Sequence, residues 1–392
     1  MRRRRARSAA AGAEIAEYVI LPSMHRIRID PPAAVLLVLL VSLFGIAPLQ
    51  AAEWPQELPT ESCGDYFLVQ MKMGGKDKHP LSMLLDTGAA NTVIDVESLE
   101  RVSGKRLKSG KWAKIELLTA GAVKFKGVRA QVRQIDHLQL ALGAPLDGIL
   151  GFNAFKDVLL TMDYANALVS IAPGKLERPD GKRIFRTVHE RSRPFIEMVF
   201  DGQEIPILLD SGSSGGLSVE THRSFNWKVA PVSAASALKI NRIQRERWAR
   251  MASDVNFGPV MLKEPTLDLA SGTELVGTEV MRYFRFVYDQ KRRRVRIDPI
   301  GDEPVPFESR SAPGWAITVK EQGFKVVEVY EGLGASRAGV REGDLIVKID
   351  GTPVYERDLC DRRTKPPGAV ELTILRDDEE LELTVERDLL VP

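Results

Sequence analysis

Two stretches of this chain repeat each other, and the repeat limits the available folds more than any other feature. Met83–Ile94 reads "MLLDTGAANTVI" and Ile207–Val219 reads "ILLDSGSSGGLSV". In both, an apolar run drives into an aspartate, turns at a hydroxyl residue and a glycine, and returns to apolar residues. A lone Asp-Thr-Gly is ordinary turn chemistry. A second match removes that reading: Asp147–Pro173 aligns without gaps against Thr273–Pro299, setting Gly151 on Gly277, Asp163 on Asp289, Ile171 on Ile297 and Pro173 on Pro299. Aspartate and glycine are 65 residues apart in the first copy (86 to 151) and 67 in the second (210 to 277). Two motifs in one order at one spacing mark an internal duplication.

Each copy reads mainly as strands. Tyr66–Met73 alternates, Val158–Met162 and Ala167–Ile171 form a hairpin across "DYAN", and Tyr283–Tyr288 with Val295–Ile297 repeats it. Short helices are expected after the aspartate loops, at Val96–Val102 closed by Gly104 and at Glu220–Phe225. The basic run Lys291–Arg296, "KRRRVR", reads as a hairpin turn with a solvated strand face. A duplicated unit packs against its twin about a pseudo-two-fold axis, as homodimers do. With the aspartate loops at that axis, Asp86 and Asp210 meet. Two carboxylates in one site cannot both ionise cheaply, so one keeps a proton. The ionised member can then take a proton from a water while the other hydrogen-bonds a carbonyl. Gly88 and Gly212 permit tight turns beside the acids. Thr87 and Ser211 offer hydroxyls to the opposite loops. Where the first copy has Ala89, the second has Ser213, whose hydroxyl can favour the charge on Asp210 and leave the proton on Asp86.

The pattern apolar-apolar-Asp-Thr/Ser-Gly, with apolar-apolar-Gly some 65 residues on, resembles the aspartic proteases. Lobe size and the "ILGFN" segment resemble retropepsins more than pepsins, although one chain here carries both halves. The resemblance covers roughly residues 60–300. It implies a mainly β protein with two retropepsin-like β-barrel lobes, an aspartic-type endopeptidase acting on peptide or protein substrates. Asp86 and Asp210 would be the catalytic pair, with Thr87, Gly88, Ala89, Ser211, Gly212 and Ser213 as supporting loops. Gly151 and Gly277 would pack behind them. The family's flap would be Lys114–Phe125, "KIELLTAGAVKF"; Lys239–Phe257 has no simple counterpart to it. The alternative is a catalytically silent scaffold or peptide-binding protein on the same fold.

The C-terminal part changes character. Phe324–Gly351 reads "FKVVEVYEGLGASRAGVREGDLIVKIDG": a strand, a short helix at Ser336–Ala338 ended by Gly339, a turn at Gly343-Asp344, a strand and an Asp-Gly hairpin turn. This run resembles the PDZ domains of bacterial exported proteases. The resemblance implies a ligand bound as an added strand, either an extended segment or a C-terminus. Its binding residues would be Gly314, Trp315, Ala316 and Ile317, facing a helix at about Tyr355–Arg363. The expected organisation is a leader at 1–52, lobes at 60–175 and 182–300, a linker at 301–314 and a small α+β PDZ domain at 315–390.

The front of the chain is a targeting segment. "AAVLLVLLVSLFGI" (Ala33–Ile46) is uncharged and apolar, preceded by His25, Arg26 and Arg28 and followed by small residues. It reads either as a cleaved signal peptide or as an inner-membrane anchor over 33–49, and Met24 offers an alternative start. Export to the periplasm is expected. The chain's net charge of +2 comes from residues 1–51, where seven Arg face three acids, so no nucleic-acid partner is expected. Cys63 and Cys360 read as free thiols, since a bridge would have to join the two ends of the chain. "GSSGG" (Gly212–Gly216) matches a nucleophile elbow, but only His222 follows it and no triad in the usual order can be built. No metal-ligand cluster or phosphate loop is present, and neither metal nor cofactor is expected.

Overall fold

Both copies lay their strands down in the same order. The computed structural model describes residues 54–74, 80–188, 193–238, 243–356, 360 and 368–392. In the first copy the order is Tyr66–Met73, Leu81–Asp86, Gly148–Gly151, Thr92–Asp95, Val123–Arg133 and Trp112–Ala120, with Thr60–Cys63 outside. Tyr66–Met73 also pairs with Trp112–Ala120, which curls the sheet back on itself. In the second copy the order is Phe195–Phe200, Gln203–Leu209, Leu275–Val276, Leu217–Val219, Thr266–Ala270 and Ile243–Met251, with Trp227–Leu238 outside. The aspartate-bearing strand is parallel to the glycine strand in each. Leu81–Asp86 is buried at every position, and burial of both faces is why Met83–Leu85 runs apolar without alternation.

A third sheet joins the copies. Its order is Gln56–Glu57, Leu168–Ala172, Leu159–Asp163, Phe284–Asp289, Arg294–Pro299 and Ile184–Arg186. At its centre Thr161 pairs with Val287, Asp163 with Arg285 and Leu159 with Asp289. The offset from 161 to 287 is that from Gly151 to Gly277, so Thr161 faces its own counterpart. A residue paired with its own counterpart lies on a two-fold axis. The duplication is thus visible as a local symmetry axis through the shared sheet. One apolar core, from Leu58 to Val305, runs through both copies.

The C-terminal sheet runs Arg310–Ala312, Glu379–Val391, Gly368–Arg376, Leu345–Ile349, Gly323–Val329 and Trp315–Lys320, around its own core of Val326, Ile346, Leu372, Ile374 and Val385. The Asp350-Gly351 turn has positive φ at both positions, the geometry a two-residue hairpin requires. Residues 1–52 lie outside the described residues; among those described, no helix is long and apolar enough to cross a membrane.

Three expectations are corrected. Cys63 and Cys360 are disulfide-bonded, with their Cα atoms 4.5 Å apart. Cys360 packs on the patch of Tyr66, Leu68, Ile135 and Leu142, so the C-terminal module docks on the first lobe, a placement that no local pattern specifies. Glu220–Phe225 is not helical. Glu274 receives two bonds from the Arg223 guanidinium (2.7 and 3.1 Å) and one from the Glu220 N–H, holding the segment in a single turn while Phe225 enters the core. The hairpin at Lys114–Phe125 forms, but it is no flap: Leu118, Val123 and Phe125 are buried in the shared core and its Gly121 tip lies against Pro59. By contrast, the helix after the first aspartate loop runs Val96–Ser103, capped by the Asp95 carboxylate and closed by left-handed Gly104.

Replacing both cysteines by serine removes the tether between the first lobe and the C-terminal module. A loss on the order of 2–4 kcal/mol in unfolding free energy is expected, read from the urea midpoint, with faster proteolysis around residues 300–315.

Candidate functional site

The site is assembled at the two aspartate loops. Thr87 N–H donates to Ser211 Oγ (3.0 Å) and Ser211 N–H donates to Thr87 Oγ1 (3.1 Å). Thr87 Oγ1 donates to the Leu209 carbonyl (2.6 Å) and Ser211 Oγ to the Leu85 carbonyl (2.8 Å). Each hydroxyl therefore both accepts from and donates to the strand end of the opposite copy, and both are buried. Four bonds related by symmetry lock the loops together. With every donor and acceptor satisfied, the arrangement can be buried without an unpaired polar group.

This clasp sets the acids. The Asp86 carboxyl lies against Gly212 and the Asp210 carboxyl against Gly88: a Cβ added to either glycine would come closer than 3.0 Å to the opposite carboxyl. Only glycine permits that approach. Ala89 N–H donates to Asp86 Oδ1 (2.9 Å) and Gly212 N–H to Asp210 Oδ1 (3.0 Å). Asp86 and Asp210 are hydrogen-bonded to each other, and burial, then the charge of Asp210, hold the Asp86 carboxyl well above the usual carboxylate range. Two acids this close hold one proton jointly, one able to donate while the other accepts.

The glycine strands brace the loops from behind. Phe152 N–H donates to the Ala89 carbonyl (2.9 Å), and its counterpart Thr278 N–H donates to the Ser213 carbonyl (2.8 Å). Gly151 and Gly277 sit where a Cβ would strike backbone atoms of Asn91 and Gly215. Ser213 Oγ lies beside Gly215. Sequence reasoning passed over Asn153, whose Oδ1 accepts from Thr92 N–H (3.0 Å), and Arg193, which donates to the Gly88 carbonyl (3.5 Å). The repeat held a signal for the first of these, because Asn153 aligns with Glu279, another residue beside an aspartate loop.

In the C-terminal module, Gly314 has φ +90°, and its carbonyl accepts from Tyr330 N–H (2.9 Å). Trp315, Ala316 and Ile317 open the strand Trp315–Lys320, which stands at the edge of its sheet with Gly323–Val329 as its one hydrogen-bonded strand partner among the described residues. Of the helix expected at Tyr355–Arg363, residues 357–359 and 361–363 lie outside those described. Among the described residues no group of His, Cys, Asp and Glu is arranged to hold a metal.

No protein-family model matches the chain. A curated relative, the "Putative serine protease HhoA" of Synechocystis sp., is 42% identical over 67 residues, which is 16% of this chain and 17% of the relative. The chain thus spans about a sixth of that relative's length. Among solved structures, a PDZ domain protein from Parabacteroides distasonis is 20% identical over 21% of this chain and 20% of its own, with a TM-score of 0.18. The HtrA3 PDZ domain bound to a phage-derived ligand (FGRWV) is 20% identical over 21% of this chain and 88% of its own, with a TM-score of 0.19. Scores this low carry no structural argument. The relative bears the name of a serine protease. That name overturns the aspartic-type endopeptidase expected from the two aspartate loops, and with it the retropepsin-like label on the lobes; neither is carried further.

The shared proton has a measurable consequence. Because its pKa is raised, Asp86 stays protonated in the folded state over an interval in which the unfolded chain's aspartate is ionised. The folded state then binds more protons, so stability falls as pH rises through that interval and levels off above it, by about 1.4 kcal/mol per pH unit for one proton. Asp86→Asn removes this loss. Thermal melts from about pH 3 to about pH 8 should show the variant gaining on the parent as pH rises; parallel curves would contradict a raised Asp86.

Proposed function

We propose that this chain is an exported peptidase with a C-terminal peptide-binding module of the PDZ kind, and that Asp86 and Asp210 belong to its functional site. The observation that carries the reading is the clasp between Thr87 and Ser211, which brings the buried Asp86 carboxyl and the half-buried Asp210 carboxyl together to share a proton. Such a pair is costly to bury, and perturbed acids of this sort cluster at sites of chemistry. The likeness to a named protease over 67 residues supports peptides or proteins as the substrate class. The Cys63–Cys360 disulfide suits the oxidising compartment that export would provide. In the C-terminal module, the edge strand Trp315–Lys320, opened by Gly314, Trp315, Ala316 and Ile317, is the place where an extended peptide would add.

The relative's name favours a second reading, a serine nucleophile. A serine mechanism of the triad kind sets a histidine beside the hydroxyl. Of the described histidines, His222 pairs with Glu220 at 2.9 Å and His137 Nε2 is buried without a hydrogen-bond partner.

One set of measurements separates the readings. Purified protein, Asp86→Asn and Asp210→Asn are assayed on a peptide library across pH, with and without a serine-directed fluorophosphonate. Loss of cleavage by about 10³-fold or more in both Asn variants is the expected result. Inhibition by the reagent, with full activity in the Asn variants, would assign the chemistry to a serine. Cleavage by none of the proteins would leave a peptide-binding protein.

A further inference from the structure

The two aspartate loops are braced at equivalent positions by different residues. In the first copy the brace is Asn153, neutral, bonded within its own lobe to Thr92 N–H. The counterpart of Asn153 is Glu279, and the counterpart of Thr92 is Gly216, where a Cβ would meet Glu279 Oε2 at 3.2 Å and Arg310 Nη2 at 3.5 Å. Glu279 N–H donates to the Gly215 carbonyl (3.3 Å) and Gly277 N–H to the Gly216 carbonyl (2.8 Å), so the short helix Thr278–Met281 is fastened to the Asp210 loop. The substitution of a carboxylate for an amide changes what the site needs, because a buried charge has to be paired.

Its partner comes from outside the lobe. Arg310, on the first strand of the C-terminal sheet, donates to Glu279 Oε2 at 2.6 Å, and both side chains are largely buried. The guanidinium stacks over the Trp248 ring, 5.5 Å from its centroid. Asp268 and Glu246 also face it, and their charges with that of Glu279 hold the guanidinium above its ordinary value despite burial. Asp268 is itself buried, and its Oδ2 lies 3.1 Å from where a Cβ of Gly215 would be. Two carboxylates therefore flank the Gly215–Gly216 turn, and one arginine from the C-terminal module sits among them.

We propose that Arg310 is a positioning residue for the Asp210 loop, so that docking of the C-terminal module sets the geometry of the carboxylate pair. The first loop takes its polar brace from Asn153, inside its own lobe. In bearing on catalysis the proposal rests on the function given above. Without Arg310, Glu279 and Asp268 face each other as like charges across the 215–216 turn, and the loop moves to separate and hydrate them.

The test uses the full chain with Arg310→Met, Arg310→Lys, Arg310→Met/Glu279→Gln and, as a control, Arg337→Met, whose partner is Asp388 within the C-terminal module. Hydrogen exchange of the amides at 213–216 is compared with that at 89–92. Arg310→Met should raise exchange at 213–216 by about tenfold or more and leave 89–92 and the control unchanged. Arg310→Lys should recover part of the protection. The double variant, which leaves no unpaired glutamate and so guards against misfolding, should exchange less than Arg310→Met but still faster than the parent, because the tether from the module to the loop is gone. On a cleaved peptide, kcat should fall by about tenfold with KM nearly unchanged. Parental exchange at 213–216 in both Arg310→Met and the double variant, or an equal rise at 89–92, would overturn the proposal. A parent that cleaves nothing would refute the peptidase reading alone, because the exchange experiment does not need activity.

Discussion

The reciprocal exchange of hydrogen bonds between Thr87 and Ser211 is the constraint from which the rest of the molecule can be read. Two aspartates are held in contact although each would be better solvated apart, and four buried hydrogen bonds from hydroxyls and backbone offset that tendency. Removing one partner of such a set leaves a buried donor or acceptor unsatisfied, which costs about 1–3 kcal/mol. The clasp can form only where the two strand ends arrive together. The shared sheet arranges this by pairing Thr161 with Val287, its own counterpart, and so placing the symmetry axis.

Symmetry at the clasp contrasts with asymmetry around it. Asn153 and Glu279 occupy equivalent positions, yet one is satisfied inside its lobe and the other reaches across to Arg310. Once duplicated, a gene is free to diverge at the rim while the axis stays fixed, because side chains on the axis must satisfy both copies at once. The Asp210 loop diverged toward glycine, with Gly212, Gly215 and Gly216 where the first copy has Gly88, Asn91 and Thr92. Two more glycines make the loop more dependent on outside support, and the C-terminal module provides it.

The sequence carried the parts of the fold that depend on local periodicity and on repetition. Strand pairs such as Leu159–Asp163 with Leu168–Ala172, the helix closed by Gly104 and the Asp350-Gly351 turn follow from alternation and turn chemistry within a few residues. The joining of Asp86 to Asp210 could be argued because the repeat implied an axis. What depends on long-range docking was not written locally. Cys63 and Cys360 are 297 residues apart, and no pattern in either neighbourhood specifies the other. Glu220–Phe225 carries helix-compatible residues, but Glu274, more than 50 residues away, captures Arg223 and overrides propensity. The flap reading failed for a similar reason: Leu118 and Phe125 alternate as any half-exposed hairpin would, and only packing against distant residues such as Phe155 buries them.

The C-terminal module is tied to the body at two points that differ in kind. Cys360 joins it covalently to Cys63 in the first lobe, and Arg310 joins it electrostatically to Glu279 in the second. Its edge strand Trp315–Lys320 lies between these ties, against the helix Asp136–Leu142 of the first lobe and the strand Trp227–Leu238 of the second. Relative motion of modules in one chain is the default unless their interface is large and apolar. Here a covalent bond and a buried ion pair restrict it instead, from both sides of the symmetry axis. A segment adding to that edge would therefore be held at a fixed distance from both aspartate loops, which couples recognition at the module to the pair of acids by geometry alone.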